Sequence, residues 1–252
     1  MVSVIIPCYK SNNTIEETVR SVVEQTYKDW EIVIVDNGLT LDRTLPILND
    51  KTCKKKINIV PSESNLGAAL ARNLGAENAK GRYLAFLDSD DVWNRDKLHK
   101  EMKVMESYKV ADKSPAIVFT GRSLIGEDGK DVGVYIGCNK VVTYKKLLRT
   151  NQINCSSVLI EKDLFLKYPM KDGRLHEDYA CWLEILRDNR YAAGINMPLL
   201  YYRVRQGSKS GNKFNSAILN YNTYKRIDLK FGERIFYMMT YIMNGLLKYR
   251  KR

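Results

Sequence analysis

The stretch Tyr83-Leu84-Ala85-Phe86-Leu87-Asp88-Ser89-Asp90-Asp91 decides the reading of this chain, because five apolar residues run directly into three carboxylates. A short, wholly apolar run fits a strand buried on both faces of an α/β sheet, and open sheets of that class bind ligands at the carboxyl ends of their strands. Three like charges within four residues repel one another unless something offsets them. A hard divalent cation such as Mg²⁺ or Mn²⁺, held by one or two carboxylates and by a ligand's phosphates, offsets them. The competing reading is local: Asp90 or Asp91 caps a helix that begins near Trp93.

The sequence on either side of this run alternates strand and helix. Val2 to Pro7 reads as a first strand, and Asn13-Thr14-Ile15-Glu16 resembles a capping box with asparagine in the capping place. Ile15, Val19, Val22 and Val23 then mark one helix face. Glu31 to Val35 is a second strand, which also ends on an acid, Asp36, before the turn signal Asn37-Gly38. Ile57 to Val60 is a third strand, and Leu66 to Ala79 reads as a helix with Leu66, Leu70 and Leu74 in register. Such alternation predicts right-handed crossovers and a largely parallel sheet over residues 1–91. Beyond it, Trp93 to Tyr108 reads as a helix with Leu98, Met102, Met105 and Tyr108 on one face. Strands are expected at Ile117 to Phe119, Lys130 to Tyr135, Ser156 to Ile160 and Gly194 to Arg203, with a helix over Tyr179 to Arg187. The Gly207 to Gly211 segment marks a boundary, after which a basic tail begins.

Composition bounds the class. A chain of 252 residues with 44% hydrophobic and 28% charged residues is an ordinary globular mixture. The five cysteines, Cys8, Cys53, Cys138, Cys155 and Cys181, are odd in number and scattered, so they read as reduced and structural, which points to the cytosol. The opening carries no basic leader followed by an apolar core, so no signal peptide is expected, and no apolar run reaches the roughly 18 residues needed to span a bilayer. Charge is concentrated at one end: of the net +12, residues 203–252 hold +10, from 12 Lys or Arg against Asp228 and Glu233. That polarity suits an anionic partner for the tail.

The paired acids at two strand ends, Asp36 and Asp88, suit a nucleotide whose base sits over one strand and whose diphosphate sits over another. In order along the chain stand Val4-Ile5-Ile6-Pro7-Cys8-Tyr9, Gln25-Thr26-Tyr27, Trp30 to Asp36, Asn65 to Gly75, Phe86 to Asp91 and His176-Glu177-Asp178. This ordered set resembles the family 2 glycosyltransferases, inverting sugar-nucleotide enzymes, and covers about 205 residues. The resemblance implies a GT-A fold, α/β with a mixed, mainly parallel central sheet flanked by helices, here with a C-terminal helical tail. It implies a transferase domain over 1–205, with a nucleotide-binding half at 1–91 and an acceptor half at 92–205, followed by a basic lid and amphipathic helical tail at 206–252.

On the residues, the resemblance implies that Asp36 accepts from the uracil N–H, that Arg72 donates to a uracil oxygen, and that Pro7 and Tyr9 wall the base. Asp88 would touch the ribose or the metal, and Asp90 would ligate the Mn²⁺ or Mg²⁺ that bridges the diphosphate. Asp178 is the expected catalytic base, with Glu177 beside it as the second candidate, both at the start of the Tyr179 to Arg187 helix. Trp182, on that helix, is assigned to the acceptor side, although Trp182 and Leu183 together also suit inward packing. Arg205 and Ser208, in a basic and glycine-containing segment, would contact the diphosphate from a closing lid. Many relatives read Asp-Asp-Gly-Ser after the second strand where this chain reads Asp36-Asn37-Gly38-Leu39, which puts a second-acid role there in doubt.

The expected partners are a UDP-sugar, with UDP-glucose or UDP-galactose as the guess, and a polyprenyl-diphosphate-linked saccharide, GlcNAc first, in bacterial O-antigen or capsule assembly. Ile235 to Leu247 followed by Lys248, Arg250, Lys251 and Arg252 reads as an interfacial helix with terminal cations, which suits peripheral attachment to the cytoplasmic face of an anionic inner membrane. Packing of that helix on the domain or in a homodimer is the alternative, and no nucleic-acid partner is expected. Haloacid-dehalogenase phosphatases also place D-x-D after a buried strand, but near the amino terminus. A nucleotidyltransferase would show glycines after the first strand, where Pro7-Cys8-Tyr9-Lys10-Ser11-Asn12 has none. The remaining alternative is a basic scaffold that kept this fold and lost catalysis.

Overall fold

In the computed structural model, which describes residues 1–107, 114–188, 190–204 and 213–250, the strand β1 (Val2–Cys8) sits between two parallel neighbours. β2 (Trp30–Asn37) pairs on one side with Cys8 opposite Asp36; β3 (Ile57–Ser62) continues the sheet beyond β2; β4 (Tyr83–Phe86) lies on the other side with Ile5 opposite Phe86. The crossovers are α1 (Ile15–Val23), the single turn α2 (Pro46–Asn49), and α3 (Gly67–Glu77). All three junctions of β1, β2, β3 and β4 are parallel, as the alternation of elements requires.

The second half is added with the opposite sense. β5 (Val92–Trp93) and α4 (Lys97–Ser107) follow the acidic turn, then come β6 (Ile117–Ile125), β7 (Asp131–Ile136), β8 (Val141–Thr143), α5 (Tyr144–Arg149), β9 (Leu159–Glu161), α6 (Lys162–Lys167), α7 (Glu177–Leu186) and β10 (Tyr191–Arg203). β9 inserts antiparallel between β4 and β6, so the sheet is ordered β3-β2-β1-β4-β9-β6-β10-β5, with β7 on β6 and β8 on β10. β10 runs parallel to β6 with register shifts around Pro198, whose missing N–H cannot serve the ladder. The tail forms α8 (Lys213–Arg226) and α9 (Phe231–Arg250).

The central strands alternate their side chains between two apolar layers. Ile5 and Phe86 point toward α3, α5, α6 and α7, while Val4, Ile6 and Ala85 point toward α1, α2 and α4. This sandwich covers both faces of the sheet and leaves the ends of β1, β2 and β4 at its carboxyl edge. The fold is the mixed α/β arrangement expected, and the five cysteines are free thiols.

Three local expectations are corrected. The leucine stripe of α3 is not its buried face: Leu70 is exposed, while Ala69, Ala71, Arg72, Gly75 and Ala76 are buried. A Cβ on Gly75 would lie 2.5 Å from Ile5 Cγ2, so the small residues let α3 approach the sheet more closely than leucines would. The cap of α1 is Thr14 rather than Asn13, and its hydroxyl donates to Ser89 O (2.8 Å) instead of closing a capping box. Neither Asp90 nor Asp91 caps a helix near Trp93, because Val92–Trp93 pairs with β10 and α4 starts only at Lys97; Tyr108 lies outside the described residues.

Candidate active site

The register of β1 gathers three chain segments at one edge of the sheet. Cys8 lies opposite Asp36, and the N–H of Leu87 donates to Ile5 O (3.0 Å), so Pro7–Tyr9, Asp36–Gly38 and Asp88–Asp91 emerge side by side. Tyr9 is exposed and its ring passes over Gly38, where a Cβ would stand 3.4 Å from Cε2. Gly38 also holds φ +82°, a conformation that glycine adopts without strain. Asp36 is only 2% exposed: its Oδ1 accepts from Leu41 N–H (2.9 Å) and its Oδ2 pairs with the half-exposed Arg43 (3.2 Å). A base reaching Asp36 therefore has to move the Arg43 side chain or share that oxygen.

Asn37, the amide that departs from the family pattern, is fully used. Its Nδ2 donates to Asn65 Oδ1 (2.9 Å) and its Oδ1 accepts from Leu66 N–H (2.8 Å), which ties the end of β2 to the start of α3. A carboxylate offers no donor and could not make both bonds.

The acidic turn is held from four directions. Asp91 N–H donates to Asp88 O (3.0 Å) and closes the turn. Ser156 Oγ accepts from Asp88 N–H (3.1 Å), and the carbonyl of Ser156 accepts from Trp93 Nε1 (2.7 Å). Thr18 Oγ1 donates to Asp91 O (2.9 Å), so α1 grips the same turn. Arg203, buried at the end of β10, donates Nε to Asp90 O (2.7 Å), Nη1 to Gly126 O and Glu127 O (3.2 and 3.0 Å) and Nη2 to Glu17 (2.6 Å). Its backbone N–H also donates to Asp91 Oδ1 (3.0 Å).

The three acids thus differ. Asp91 is buried, its Oδ2 has no hydrogen-bond partner, and burial, reinforced by Asp88 and Asp90, pushes its pKa well above the usual carboxylate range. Asp88 and Asp90 are partly exposed. No group of three or more His, Cys, Asp or Glu stands ready for a metal among the described residues. Two partly exposed carboxylates beside a buried third could still serve a cation that takes most of its ligands from a bound phosphate.

Behind the turn lies a second charge cluster. Arg72, from α3, is buried and donates Nη2 to Asp88 Oδ1 (2.5 Å); its Nη1 faces Met170 Sδ at 4.0 Å and its Nε is buried without a partner. Burial disfavours the charge on Arg72, but Asp88, with Cys155 and Asp178 adding, raises its pKa above the ordinary value. Arg72 was expected to serve the uracil; the side-chain partner it has in the structure is Asp88. Asn73 hooks the loop before α7 onto α3 through paired bonds, Nδ2 to Met170 O (2.7 Å) and Met170 N–H to Oδ1 (3.0 Å).

Asp178 stands in the first turn of α7, where its Oδ1 accepts from Tyr179 N–H (2.7 Å). Burial raises its pKa, Arg72 opposes the rise, and the neighbouring Glu177 adds to it. His176, at the cap, donates its N–H to Thr223 Oγ1 (3.1 Å) and turns its ring toward Ser216 of α8 (3.4 Å). Trp182 does not reach the site: it is 0% exposed, with its ring centroid 6.0 Å from that of Phe86. The acceptor role expected for it gives way to packing in the core beside Phe86, Leu183 and Leu186. Arg205 and Ser208 lie outside the described residues.

The residues that sequence reasoning missed are Arg203, Ser156, Arg43 and Cys155. Arg203 carried a signal, a cation ending the apolar run Leu199-Leu200-Tyr201-Tyr202, but it was counted with the basic tail. Ser156 and Cys155 occupy a 3₁₀ turn beside the acidic cluster, where the strand expected from Ser156 begins only at Leu159.

Comparison with known proteins agrees with this architecture. Residues 3–143 match the family described as Glycosyl transferase family 2. The chain is 37% identical over 98% of its length to a putative teichuronic acid biosynthesis glycosyltransferase, TuaG, of Bacillus subtilis (strain 168), covering 97% of that protein. It is also 37% identical over 99% of its length to WfaP of Escherichia coli, covering 95% of that protein, which is named a UDP-Glc:alpha-D-GlcNAc-diphosphoundecaprenol beta-1,3-glucosyltransferase. Among solved structures, S. aureus TarS 1-349 in complex with UDP-GlcNAc superposes with a TM-score of 0.70 at 19% identity, over 94% of this chain and 70% of that one. The mannosyltransferase PcManGT of Pyrobaculum calidifontis, in complex with GDP-Man and Mn²⁺, superposes with a TM-score of 0.65 at 19% identity, over 91% of this chain and 65% of that one.

Proposed function

The chain belongs to glycosyl transferase family 2, and from that premise we propose that it moves a hexose from a UDP-sugar to a GlcNAc carried on a lipid diphosphate in bacterial surface-polysaccharide assembly, inverting the anomeric carbon. UDP-glucose is the donor we propose, after the name of the E. coli relative, with UDP-galactose as the next to test. The observation that carries the reading is the shared cluster Asp88–Arg72–Asp178: the expected diphosphate end and the expected base meet across one buried guanidinium.

In the reaction, the acceptor hydroxyl oxygen forms its bond to the anomeric carbon as the bond from that carbon to the UDP oxygen breaks, and the electron pair leaves with UDP. Asp178 takes the hydroxyl proton. A base with a raised pKa performs that transfer best near neutral pH, typically for a ~10²- to 10⁴-fold gain. Burial keeps Asp178's pKa high, and repulsion from Glu177, the second candidate, adds to it. Pro7 and Tyr9 wall the base, Asp36 accepts from it, and Arg72 binds Asp88 and orients it. Asp88 and Asp90 would hold a divalent cation, Mn²⁺ or Mg²⁺, which supplies charge neutralisation for the departing diphosphate. Arg205 and Ser208 complete the phosphate contacts in this proposal. The division into a donor half, residues 1–91, an acceptor half, residues 92–205, and a basic lid and tail from residue 206 belongs to the same proposal, as does work at the cytoplasmic face of an anionic membrane.

Release of UDP by the purified protein from a panel of UDP-sugars, with Mn²⁺ or EDTA and a short-chain lipid-diphosphate GlcNAc acceptor, tests the reading. Acceptor-stimulated, metal-dependent release from one donor is expected. Binding of neither UDP nor Mn²⁺ would sink it and leave a scaffold as the better description.

A further inference from the structure

The C-terminal hairpin carries an apolar face that the other described residues do not cover. On α9, Phe231, Ile235, Met239 and Ile242 fall on one helical stripe with Phe236 and Met243 beside it, and their exposures range from 42% to 66%. At the α-helical periodicity these six span roughly 140° of arc. The opposite face is the packed one: Tyr237 and Met238 rest on the core, the Tyr237 ring centroid is 6.4 Å from that of Tyr224, and Asn220 reaches Met238 Sδ at 3.7 Å. The helix is therefore docked on its own domain through one side, and among the described residues no other element packs on the opposite one. A contiguous apolar patch of this kind on a soluble surface marks an interaction site.

Charge selects the partner. Residues 203–252 carry a net +10, and Lys225, Arg226 and Lys230 stand exposed around the hairpin turn. A second copy seated on α9 would bring two such segments together, and like charges oppose that pairing. An anionic leaflet has the opposite sign, and each Lys or Arg near it strengthens binding roughly fivefold. Among the described residues no helix is long and apolar enough to cross a membrane, so α9 would lie in the interface plane.

We infer that the exposed stripe of α9 docks the chain on an anionic lipid surface, with α9 lying in the interface and the cations of the hairpin facing the headgroups. The inference deepens the proposed membrane-borne acceptor and rests on that reading for its purpose. It also locates the catalytic edge. Asn220 faces Met238 across the turn, so α8 and α9 run antiparallel, and α8 carries both Ser216, beside the His176 ring, and Thr223, which accepts from His176 N–H. The hairpin that meets the leaflet thus braces the start of α7, two residues from Asp178.

The test is co-sedimentation of the full chain with vesicles of phosphatidylcholine alone or of phosphatidylcholine mixed with phosphatidylglycerol. It compares the wild type with the triple variant Ile235→Gln/Met239→Gln/Ile242→Gln, with circular dichroism to verify the fold. Binding to the anionic vesicles only, weakened by salt and weakened at least ~10-fold in the triple variant, is the expected result. Wild-type protein left in the supernatant of anionic vesicles would overturn the inference, as would triple-variant binding equal to the wild type. A dimer seen by sedimentation velocity and abolished by the triple variant would overturn it too, by giving the face to a second copy. The vesicle experiment needs no donor and no acceptor. Intact, stripe-dependent binding alongside no turnover of any UDP-sugar would therefore count against the proposed reaction and for the docking surface.

Discussion

Replacing Arg203 with methionine should loosen the acidic turn without touching any acid. The side chain is 3% exposed, and methionine keeps much of its apolar stem while removing every donor of the head group. The bond to Glu17 contributes little, since that carboxylate is 51% exposed and screened by water. The carbonyls of Gly126 and Glu127 belong to a turn at the surface and can turn to solvent. The remaining loss is the 2.7 Å charge-assisted bond to Asp90 O together with part of the two turn bonds. At ~1.5–3 kcal/mol for a hydrogen bond to a charged group, the expected destabilisation is about 3 kcal/mol. For a chain of this size that lowers Tm by roughly 6–12 °C. Thermal unfolding by circular dichroism measures it, and a titration of UDP-sugar turnover with Mn²⁺ measures the consequence for Asp90. The half-saturating metal concentration should rise about 10-fold, in line with what loss of a residue supporting a metal ligand does. Arg203→Lys should recover part of both effects, since it keeps the charge and loses the fork. A methionine variant with an unchanged Tm and an unchanged metal requirement would refute the reasoning. A lower Tm with the same metal requirement would leave Arg203 as a brace of the fold alone.

Two further perturbations follow. Arg72→Met removes the charge that holds Asp178's pKa down against burial, so the acid limb of the kcat/KM profile should move to higher pH while activity falls ~10²-fold; an unmoved limb would break the link between the two residues. The buried pair Lys97–Glu101 (2.7 Å, both side chains 0% exposed) sets a pH signature of stability. Burial pushes Glu101 up to about 7 from its ordinary 4.5, against the opposing effect of Lys97. Because the folded pKa is the higher one, the contribution from this carboxyl is fully present below about 4.5 and is lost as pH rises through about 7. Lys97→Met leaves the carboxylate alone and should cost ~3–5 kcal/mol at pH 8 and less at pH 6, whereas Lys97→Met/Glu101→Leu should be close to neutral by urea unfolding; a double variant no better than the single would be inconsistent with an isolated buried charge as the cause.

The parallel half of the fold was legible because strand, acid and turn follow one another in chain order, and the register of β1 then had to bring Tyr9, Asp36 and Asp88 to one edge. The antiparallel second half was less so. β9 is three residues long and its place between β4 and β6 is set by long-range pairing that no local period encodes. The α3 face was misread because leucines were taken to point inward, whereas Gly75 shows that closeness of packing, not side-chain size, fixed the helix. Trp182 falls to the inward of its two readings, since its neighbours on the buried side of α7 are as apolar as itself. The acids themselves were found, but their division into two partly exposed carboxylates and one buried anchor depends on Ser156, Thr18 and Arg203, which arrive from three separate elements.

In the proposed reaction, Asp178 removes the acceptor proton beside a UDP-sugar held at the Asp88 edge. The measurement that tests it most directly is the initial rate of acceptor-dependent UDP release by Asp178→Asn at saturating metal, with UDP affinity measured alongside. Asparagine keeps an oxygen for the Tyr179 N–H and gives up the base, so the account predicts a rate at least ~100-fold lower with UDP affinity unchanged within a few-fold. A variant that turns over within a few-fold of the wild type would contradict the account and move the search for the base elsewhere, to Glu177 first.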